Sequence, residues 1–487
     1  MVDAGTTTVK AALLEPGGAA LATASVEQPV QHPGPGRAEQ HPDDWWRAFR
    51  SAVRGCRVAG AAPVALAVTG QMQDLVVLDQ HDRPARPALL YSDLRAGAEL
   101  AELTGALGDG WSMATGNVAD PSSTCAQLRW VREHEPEVLT RTHRVLLGSP
   151  GYLLHRAGGR ASCDLTTAST TGLLDIHRRT WWPPVLEVLG LDPGLLPELV
   201  DGVSEVGESS RAAAEELELP AALPLVHVAG DAAAVTAGLI GAAPGAISVS
   251  LGTSGWVAAL TGWPSRPNGA IHHLVGPTGR ESLLIGALLS AGATVEWARR
   301  TYLPGASRAA ADRAAELAGP TDLLMLPSLA GERSPVRDPL AVGAVVGLRP
   351  STTPAQLYRA AMEGVGYSLR RILEIMGPDL PASSKDSSWW LPVSGGGALS
   401  GVFGRIVADV LGRPVAPVAA EGAGLHGAYR AAASALGMPV PAPLVDAVDP
   451  ATVMHPSGQR EHYDRLADAH AELWAQLRPA FRALAGR

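Results

Sequence analysis

Short apolar runs alternate along the chain with longer segments in which apolar residues recur every three or four positions. The short runs are bounded by Gly, Pro or Asp and have the length of strands, whereas the longer period is typical of helices packed on one face. The clearest strand runs are residues 64–70, 74–79, 223–230, 246–252, 322–329 and 389–395. This alternation of strands and helices predicts an α/β fold.

Two segments carry the signals of complete helices. In the first, Thr353 is a suitable N-cap, Pro354 occupies the first turn and Gln356 completes a capping box. The second begins near residue 400 and stops at Gly412, with Pro414 just beyond it, which is a normal helix end. Both segments are therefore predicted to be helical.

Residues 283–295 form the longest uncharged apolar run. Its length of about 13 residues is too short to span a bilayer, and we expect a buried helix there. The polar stretch 381–388 (PASSKDSS) predicts an exposed loop.

The chain is too long for a single ordinary core. With 487 residues it is expected to fold as two domains. The best candidate for the seam is the small-residue segment 238–246. We therefore expect an N-terminal domain over residues 1–242 and a C-terminal domain over 243–487.

Charge and cysteine content narrow the class of protein. The formal net charge of −9 argues against nucleic acid or an anionic membrane as a general partner. Cys56, Cys125 and Cys163 lie far apart with no paired spacing, which indicates a reduced, cytoplasmic environment. Asp3 and Lys10 make the first residues unlike a signal peptide.

Lysine is scarce in this chain, which uses arginine at most basic positions. Lysine and arginine together number 39, yet the lysines are Lys10 and Lys385 alone. Lys10 follows the motif DAGTTTV, so either its chemistry is required there or its presence is chance.

The motif strand-Gly-Thr occurs twice, nearly half a chain apart. Residues 3–8 read DAGTTT and residues 251–255 read LGTSG. Glycine allows close approach of a ligand, and the following hydroxyl and amide groups can hold phosphate oxygens. Asp3 suits a water-mediated Mg²⁺ contact, because Mg²⁺ keeps most of its waters. Each turn alone is more often a structural hairpin, but the matched pair predicts a polyphosphate site shared by two domains.

Two further positions are candidates for the same site as these turns. Asp231 ends a strand and precedes a helical run, so it is either an N-cap or a carboxylate that accepts a hydroxyl proton. Residues 394–398 (SGGGA) join a strand to a helix, which alone is a weak nucleotide-binding signal. The pattern is not that of a P-loop.

These motifs together resemble the FGGY family of carbohydrate kinases over nearly the whole chain. Residues 122–134 are similar to the family's first signature, except that Gln127 stands where lysine is usual. Residues 343–363 fit the second signature at every defined position. The runs GQMQDLVVLD, YSDLRA and LPSLAGERSPVRDP also occur in family order.

The resemblance implies a fold and a reaction. The fold is two actin-like domains, of the ribonuclease H-like type shared by sugar kinases, heat-shock chaperones and actin, with a cleft between them. Each domain then contributes one phosphate-binding hairpin. The reaction is ATP- and Mg²⁺-dependent phosphorylation of a small sugar hydroxyl in the cytoplasm. Homodimers are common in the family, and nothing in the sequence shows an interface.

The resemblance also implies roles residue by residue. Asp231 matches the general base. The residues that match the phosphate loops are Asp3, Thr6, Thr7, Lys10, Gly252 and Thr253, and Asp3 would also hold the metal through water. The residues that match the adenosine site are Gly396, Gly397 and Ala398. The residues that match the sugar site are Gln71, Met72, Gln73, Asp93, Arg95 and Asp231.

The xylulokinase branch is the most similar, which implies conversion of D-xylulose to D-xylulose 5-phosphate. Gln73 replaces the histidine usual there, and Tyr91 replaces a tryptophan. Glutamine presents a different donor and acceptor pattern, so D-ribulose, gluconate or another ketose or polyol stays open. Glu332 and Arg333 either shape a closed cleft or pair with each other on a loop.

Two other classes of function stay open beside the kinase. One is a non-catalytic sugar or nucleotide sensor on the same fold, and the other is an assembling or chaperone-like ATPase. A further hypothesis concerns the first strand, which has only Met1 and Val2 before Asp3. If the natural start lies upstream, an extended chain should melt at a higher temperature and turn over faster.

Overall fold

The computed structural model describes residues 1–262, 269–380 and 389–486. The predicted loop at 381–388 lies outside these residues.

The first half of the chain contains the following elements. The strands are β1 (Val2–Ala4), β2 (Thr8–Leu14), β3 (Ala20–Glu27), β4 (Glu39–Gln40), β5 (Leu66–Gly70), β6 (Leu75–Leu78), β7 (Ala88–Leu89), β8 (Arg144–Leu147), β9 (Ser162–Asp164), β10 (Leu174–Asp175), β11 (Thr180–Trp181), β12 (Glu198–Val200), β13 (Val203–Glu208) and β14 (Pro224–Val228). The helices are α1 (Pro42–Gly55), α2 (Gly97–Leu107), α3 (Gly110–Thr115), α4 (Thr124–His134), α5 (Pro136–Arg141), α6 (Gly148–Ala157), α7 (Leu165–Ala168), α8 (Pro183–Leu189), α9 (Arg211–Leu217) and α10 (Asp231–Ile240).

The second half has fewer strands and longer helices. The strands are β15 (Ile247–Leu251), β16 (Gly255–Thr261), β17 (His272–Val275), β18 (Ser282–Leu288), β19 (Leu324–Leu326), β20 (Ala344–Val346), β21 (Leu391–Ser394) and β22 (Val415–Pro417). The helices are α11 (Gly292–Tyr302), α12 (Arg308–Ala318), α13 (Pro354–Met376), α14 (Gly401–Leu411), α15 (Ala423–Ala435) and α16 (Arg460–Leu484).

Each half is built on a six-stranded sheet with the same central order. The first sheet runs β13-β14-β5-β1-β2-β3, and the second runs β17-β18-β16-β15-β21-β22. β1 is antiparallel to β2 and parallel to β5, just as β15 is antiparallel to β16 and parallel to β21. The two Gly-Thr motifs therefore close equivalent central hairpins. The repeated topology confirms the predicted α/β fold with two domains of related structure.

Separate apolar cores hold the two sheets. In the first half, Val2 and Val68 of the sheet share a buried cluster with Trp45 of α1. In the second half, Val249 and Val365 share a buried cluster that also includes residues of α14 and α16. Such clusters cover the faces of sheets that are buried on both sides.

Both predicted helices are confirmed. Thr353 accepts a hydrogen bond from the Gln356 backbone, and the Gln356 side chain bonds the Thr353 N–H, which completes the capping box of α13. α14 ends at Gly412 in a left-handed conformation.

The helix predicted at 283–295 is wrong. There the chain forms β18, turns, and begins α11 at Gly292. β18 lies between β16 and β17, and a strand covered on both faces reads as a continuous apolar run.

The predicted domain boundary falls between elements. α10 ends at Ile240 and β15 begins at Ile247, so a division at 242/243 lies in the connection, and it stays a prediction. α15 belongs to the second half in sequence. It nevertheless shares a buried cluster with the first sheet and α10, since Ala428 belongs to the same cluster as Val226 of β14 and Ala234 of α10.

The first strand, β1, begins directly after the amino-terminal residue Met1. The N–H and C=O groups of Met1 pair with those of Ala12, and burial lowers the pKa of the terminal ammonium group to about 6. Beyond Met1, a cavity of about 490 Å³ lies between the end of β2 and the start of β5, lined by Leu13, Leu66 and Leu223. The hypothesis of an upstream start stays a prediction. Among the described residues, no helix combines the length and the apolar character that crossing a membrane requires.

Candidate active site

Three cavities contain predicted site residues, and each takes its name from its lining. The hairpin cavity, of about 440 Å³, is lined by Asp3, Thr6, Thr7, Lys10, Asp231 and Trp256 among others. The glycine pocket, of about 470 Å³, includes Gly252, Thr253, Asp312, Tyr358, Gly396 and Gly397. The polar cleft, of about 310 Å³, includes Met72, Gln73, Tyr91, Asp120, Asp231, His272 and Arg333.

Asp231 lies in the wall of two of these cavities, the hairpin cavity and the polar cleft. It is the first residue of α10, and its Oδ1 accepts a hydrogen bond from Ala232 N at 2.7 Å. The N-cap is Gly230, so the alternative that Asp231 serves as the cap does not hold. Asp231 is therefore a carboxylate at the point where two ligands would meet.

The surroundings of Asp231 favour its protonated form. Burial, then the negative charges of Asp3 and Asp164, raise the pKa of Asp231 to about 7, against a hydrogen bond from Ala232 N that lowers it. A general base works best when its pKa is close to the working pH. This carboxyl group is thus suited to accept a hydroxyl proton near neutral pH.

Asp3 and Lys10 face each other across the central hairpin. They are register partners in the β1–β2 ladder, and both line the hairpin cavity. Burial raises the pKa of Asp3, an effect that the charge of Lys10 partly offsets. Asp3, Thr6 and Thr7 bring carboxylate and hydroxyl oxygens together there, the ligand type that Mg²⁺ prefers, so the donor set fits this ion.

One glycine that the sequence analysis missed lies directly against Asp3. A Cβ atom at Gly424, in the first turn of α15, would lie 2.6 Å from Asp3 Oδ2. The same helix packs closely on α10, where a Cβ atom at Gly427 would lie 1.9 Å from Ala234 O. Glycines at positions 422, 424 and 427 were the available signal, but which element they approach is not readable from the sequence.

The glycine pocket brings together the predicted adenosine residues and a new polar group. Gly396 and Gly397 line it, while Ala398 is buried beside it. Asp312 accepts hydrogen bonds from Tyr358 Oη at 2.9 Å and from Ser400 Oγ at 2.7 Å. Ser400 also caps α14, so Asp312 fixes the wall of the pocket to the start of that helix.

Met72 and Gln73 both line the polar cleft. A Cβ atom at Gly230 would lie 2.3 Å from Met72 Cγ, so the residue before Asp231 must be small. Gln73 has a left-handed backbone, with φ of 60°. Its Nε2 donates to Ser122 O at 2.8 Å and to Ser122 Oγ at 3.0 Å.

Three predicted sugar ligands occupy a different place. Gln71, Asp93 and Arg95 are not among the described residues that line the polar cleft. Asp93 is fully buried, and its Oδ2 accepts hydrogen bonds from Ala38 N and Arg95 Nη2. These side chains hold the loops behind the cleft, and direct contact with a sugar stays a prediction for them.

Tyr91 and the loop Glu332–Arg333 also have clear positions. Tyr91 lines the polar cleft and is 45% exposed, so it is not a core residue. The Glu332 carboxylate accepts hydrogen bonds from Leu289 N and Ser328 Oγ, whereas Arg333 is exposed and lines the cleft. Of the two interpretations of Glu332 and Arg333, the structure therefore favours a role in shaping the cleft.

The two halves match known domains in the expected order. The N-terminal domain of the FGGY family of carbohydrate kinases matches residues 1–238, and its C-terminal domain matches residues 247–436. The chain belongs to this family. The predictions of a two-domain actin-like fold and of an ATP-dependent carbohydrate kinase are thereby confirmed.

Relatives of this FGGY kinase carry several substrate names. It is 33% identical to the xylulose kinase of Klebsiella pneumoniae over 96% of this chain and 97% of that one. It is 31% identical to the glycerol kinase of Rhodospirillum centenum over 88% of both chains. The crystal structure of a xyloylose kinase from Brucella ovis superposes with a TM-score of 0.87 at 30% identity, covering 99% of each chain. A gluconate kinase from Lactobacillus acidophilus has a TM-score of 0.86 at 22% identity, with 98% of this chain and 97% of that one covered, which shows the fold alone.

Proposed function

We propose that this FGGY kinase transfers the γ-phosphoryl group of ATP to D-xylulose and forms D-xylulose 5-phosphate and ADP. The observation that carries the proposal is the position of Asp231 between the hairpin cavity and the polar cleft. The xylulose kinases among the relatives support the choice of sugar.

In this reaction a sugar hydroxyl in the polar cleft loses its proton to the Asp231 carboxylate. The hydroxyl oxygen forms a bond to the γ-phosphorus, and the bond from that phosphorus to the β–γ bridging oxygen breaks, so ADP leaves. Positioning and charge stabilisation supply most of the rate in phosphoryl transfer. The hydroxyl and amide groups of the two Gly-Thr hairpins would hold the phosphate oxygens, and the glycine pocket would hold the adenosine.

Mg²⁺ belongs to the proposal as well. Asp3 would hold the ion through water, and Thr6 and Thr7 add oxygen atoms in the same cavity. The ion supplies positive charge against the phosphates. A cytoplasmic location, a homodimer and the absence of a nucleic-acid partner stay predictions.

A second candidate is a kinase for a related substrate. Gln73 offers the polar cleft an amide where the resemblance leads us to expect histidine, and hydrogen-bond pattern decides between sugars more strongly than size. D-ribulose, gluconate and other ketoses or polyols are therefore part of the test. If no product forms with any of these substrates, the result favours a non-catalytic sensor on the same fold.

A coupled assay of ADP release tests the proposal. With Mg·ATP we expect turnover with D-xylulose, and little or none with L-xylulose, D-ribulose, L-ribulose, gluconate, glycerol, D-arabitol or no sugar. Asp231→Asn should lower kcat by at least about 10³-fold, because it cannot accept the proton. Asp109→Asn, at an exposed aspartate, is the matched control and should keep full activity.

The proposal fails in two distinguishable ways. Turnover with another sugar and an inactive Asp231→Asn variant would keep the kinase and its base but correct the substrate. No sugar-dependent turnover, or an Asp231→Asn variant equal to the wild type, would overturn the proposed mechanism.

A further inference from the structure

A chain of hydrogen bonds leads from the polar cleft to the other half of the protein. Gln73 Nε2 donates to Ser122 O and Oγ, and Ser122 donates to Asp120 Oδ1 from its N at 3.0 Å and from its Oγ at 2.8 Å. Arg337 Nη2, from the second half, donates to Asp120 Oδ2 at 2.7 Å. We call this set the Gln73 chain (Gln73, Ser122, Asp120 and Arg337).

The first link fixes the direction of the Gln73 amide. A backbone carbonyl oxygen only accepts hydrogen bonds, so the amide group must turn its nitrogen toward Ser122 O. The same nitrogen also donates to Ser122 Oγ at 3.0 Å, so Ser122 holds the nitrogen side of the amide. Within residues 1–262, 269–380 and 389–486, no donor bonds Gln73 Oε1. The side chain thus offers a ligand its carbonyl oxygen as an acceptor.

The backbone of Gln73 is held in an uncommon conformation. A left-handed residue other than glycine costs roughly 1 kcal/mol, and such strain concentrates at ligand sites. Thr124 Oγ1 donates to Gln73 O at 2.7 Å, which holds this backbone in place. The side chain and the main chain of Gln73 are therefore both fixed before any ligand binds.

The last link crosses between the halves. The side chains of Asp120 and Arg337 are 25% and 31% exposed, and Arg337 Nη2 also donates to Ala119 O at 3.3 Å. The loop 119–122 is thus attached to the second half through one guanidinium group. That loop supplies both acceptors that orient Gln73.

We propose that Arg337, in the second half, is a positioning residue for the sugar site: through Asp120 and Ser122 it holds the amide of Gln73 so that Oε1 can accept a hydrogen bond from one hydroxyl of the sugar. This inference rests on the proposed kinase function and names a specificity contact within it. Sugar selection by the first half thereby depends on a residue of the second half.

Deoxy sugars test the contact. For the sugar that the wild type phosphorylates, kcat and KM are measured with that sugar and with analogues in which each hydroxyl is replaced in turn by hydrogen. We expect one analogue to lose about 10- to 100-fold in kcat/KM, because the bound analogue would cover Gln73 Oε1 without supplying a donor to it. In Gln73→Leu this loss should shrink to about twofold or less.

The role of Arg337 has its own readout. Arg337→Met should raise the sugar KM and reduce the loss with that same deoxy analogue several-fold, while the KM for ATP stays unchanged. Arg337→Lys should recover part of the discrimination, because it keeps the charge beside Asp120. Arg482→Met, at an exposed position near the end of α16, is the control and should match the wild type.

The outcomes separate the possible roles. If Arg337→Met lowers only the melting temperature and keeps full discrimination, the link to Asp120 is a structural tie and the inference is overturned. If Arg337→Met does not fold, Asp120→Asn, which keeps the shape of the loop residue, is measured instead with the same expectation. A wild type that phosphorylates no sugar would remove the proposed function and this inference with it.

Discussion

At the scale of the residue, the chemistry depends on the pKa of the Asp231 carboxyl group. Its pKa near 7 follows mainly from burial, with the charges of Asp3 and Asp164 adding to the effect. A carboxyl group with a raised pKa is protonated, and inactive as a base, over a wider range of acidic pH. The site therefore favours neutral to alkaline conditions.

This predicts the pH dependence of the reaction. At limiting sugar, kcat/KM should rise with pH through a midpoint near 7 and level off above it, falling about tenfold per unit below it. Asp164→Asn should move the midpoint to lower pH, because it removes a charge that raises the pKa. A flat profile between pH 5.5 and 8.5 would contradict the assignment of Asp231 as the base.

At the scale of the element, the contact between α10 and α15 limits which residues fit. A Cβ atom at Gly238 would lie 2.1 Å from Ala423 O, and one at Gly427 would lie 1.9 Å from Ala234 O. The two helices therefore approach with backbone against backbone. The same contact seats the first turn of α15 on Asp3.

Gly427→Ala should consequently lower both stability and activity. Overpacking of this kind costs about 1–3 kcal/mol, and any shift of α15 moves Gly424 away from Asp3. Urea unfolding and kcat measure the two effects. Gly105→Ala, inside α2 with nothing within 4 Å of its Cβ position, is the control and should stabilise by about 0.5–1 kcal/mol. Equal unfolding curves for Gly427→Ala and the wild type would show that the helices can separate freely.

The short strand β1 supports a second prediction at this scale. The cavity of about 490 Å³ beyond Met1 is lined largely by apolar side chains, and β2 and β5 flank it. Adding a few β-branched residues before Met1 should continue β1, fill the cavity and move the buried ammonium group to the surface.

We expect such an extended chain to melt several degrees higher and to turn over faster. An extension of equal length made of Gly and Ser is the control and should change the melting temperature little. Equal melting temperature and equal rate for the apolar extension would refute the idea that this cavity can accept a strand.

At the scale of the whole molecule, several side chains among the described residues join the two halves around the polar cleft. Asn117 Nδ2 donates to His273 O at 2.7 Å, and Asn117 Oδ1 accepts from His273 N at 2.9 Å, so one amide pairs with β17 as a strand would. Thr166 and Ser169 bond the backbone of Val275 on the same strand. β17 is thus attached to both halves.

Asn117→Ala should therefore weaken the whole protein rather than one loop. Losing two hydrogen bonds and leaving buried backbone groups unpaired costs about 1–3 kcal/mol. Urea unfolding followed by circular dichroism measures the change. Ser112→Ala, an exposed residue whose hydroxyl bonds Asp109 O, is the control and should fall within about 0.5 kcal/mol of the wild type. A result for Asn117→Ala as small as the control would show that the halves are held elsewhere.

Features with a local cause were predictable from the sequence. The capping box at Thr353, the stop at Gly412 and the two Gly-Thr turns each depend on a few adjacent residues. The secondary structure of the run 283–295 was not predictable from the sequence, because it depends on the strands that cover the run. The Gln73 chain was not either, since Arg337 reaches Asp120 across 217 positions. The hydrogen bonds of Gln71 to Gln40, and of Asp93 with Ala38 and Arg95, likewise appear only when their partners are placed.

The position of Asp231 in a shared wall has a consequence for inhibition. The sugar and the phosphates would approach the same carboxylate from two different cavities. The β15–β16 hairpin lines both the hairpin cavity, through Trp256, and the glycine pocket, through Gly252 and Thr253. A single molecule that joins a sugar to an adenosine polyphosphate would make its second binding step intramolecular. If the linker matches the span, such a bisubstrate compound should bind about 10²- to 10⁴-fold more tightly than either part alone.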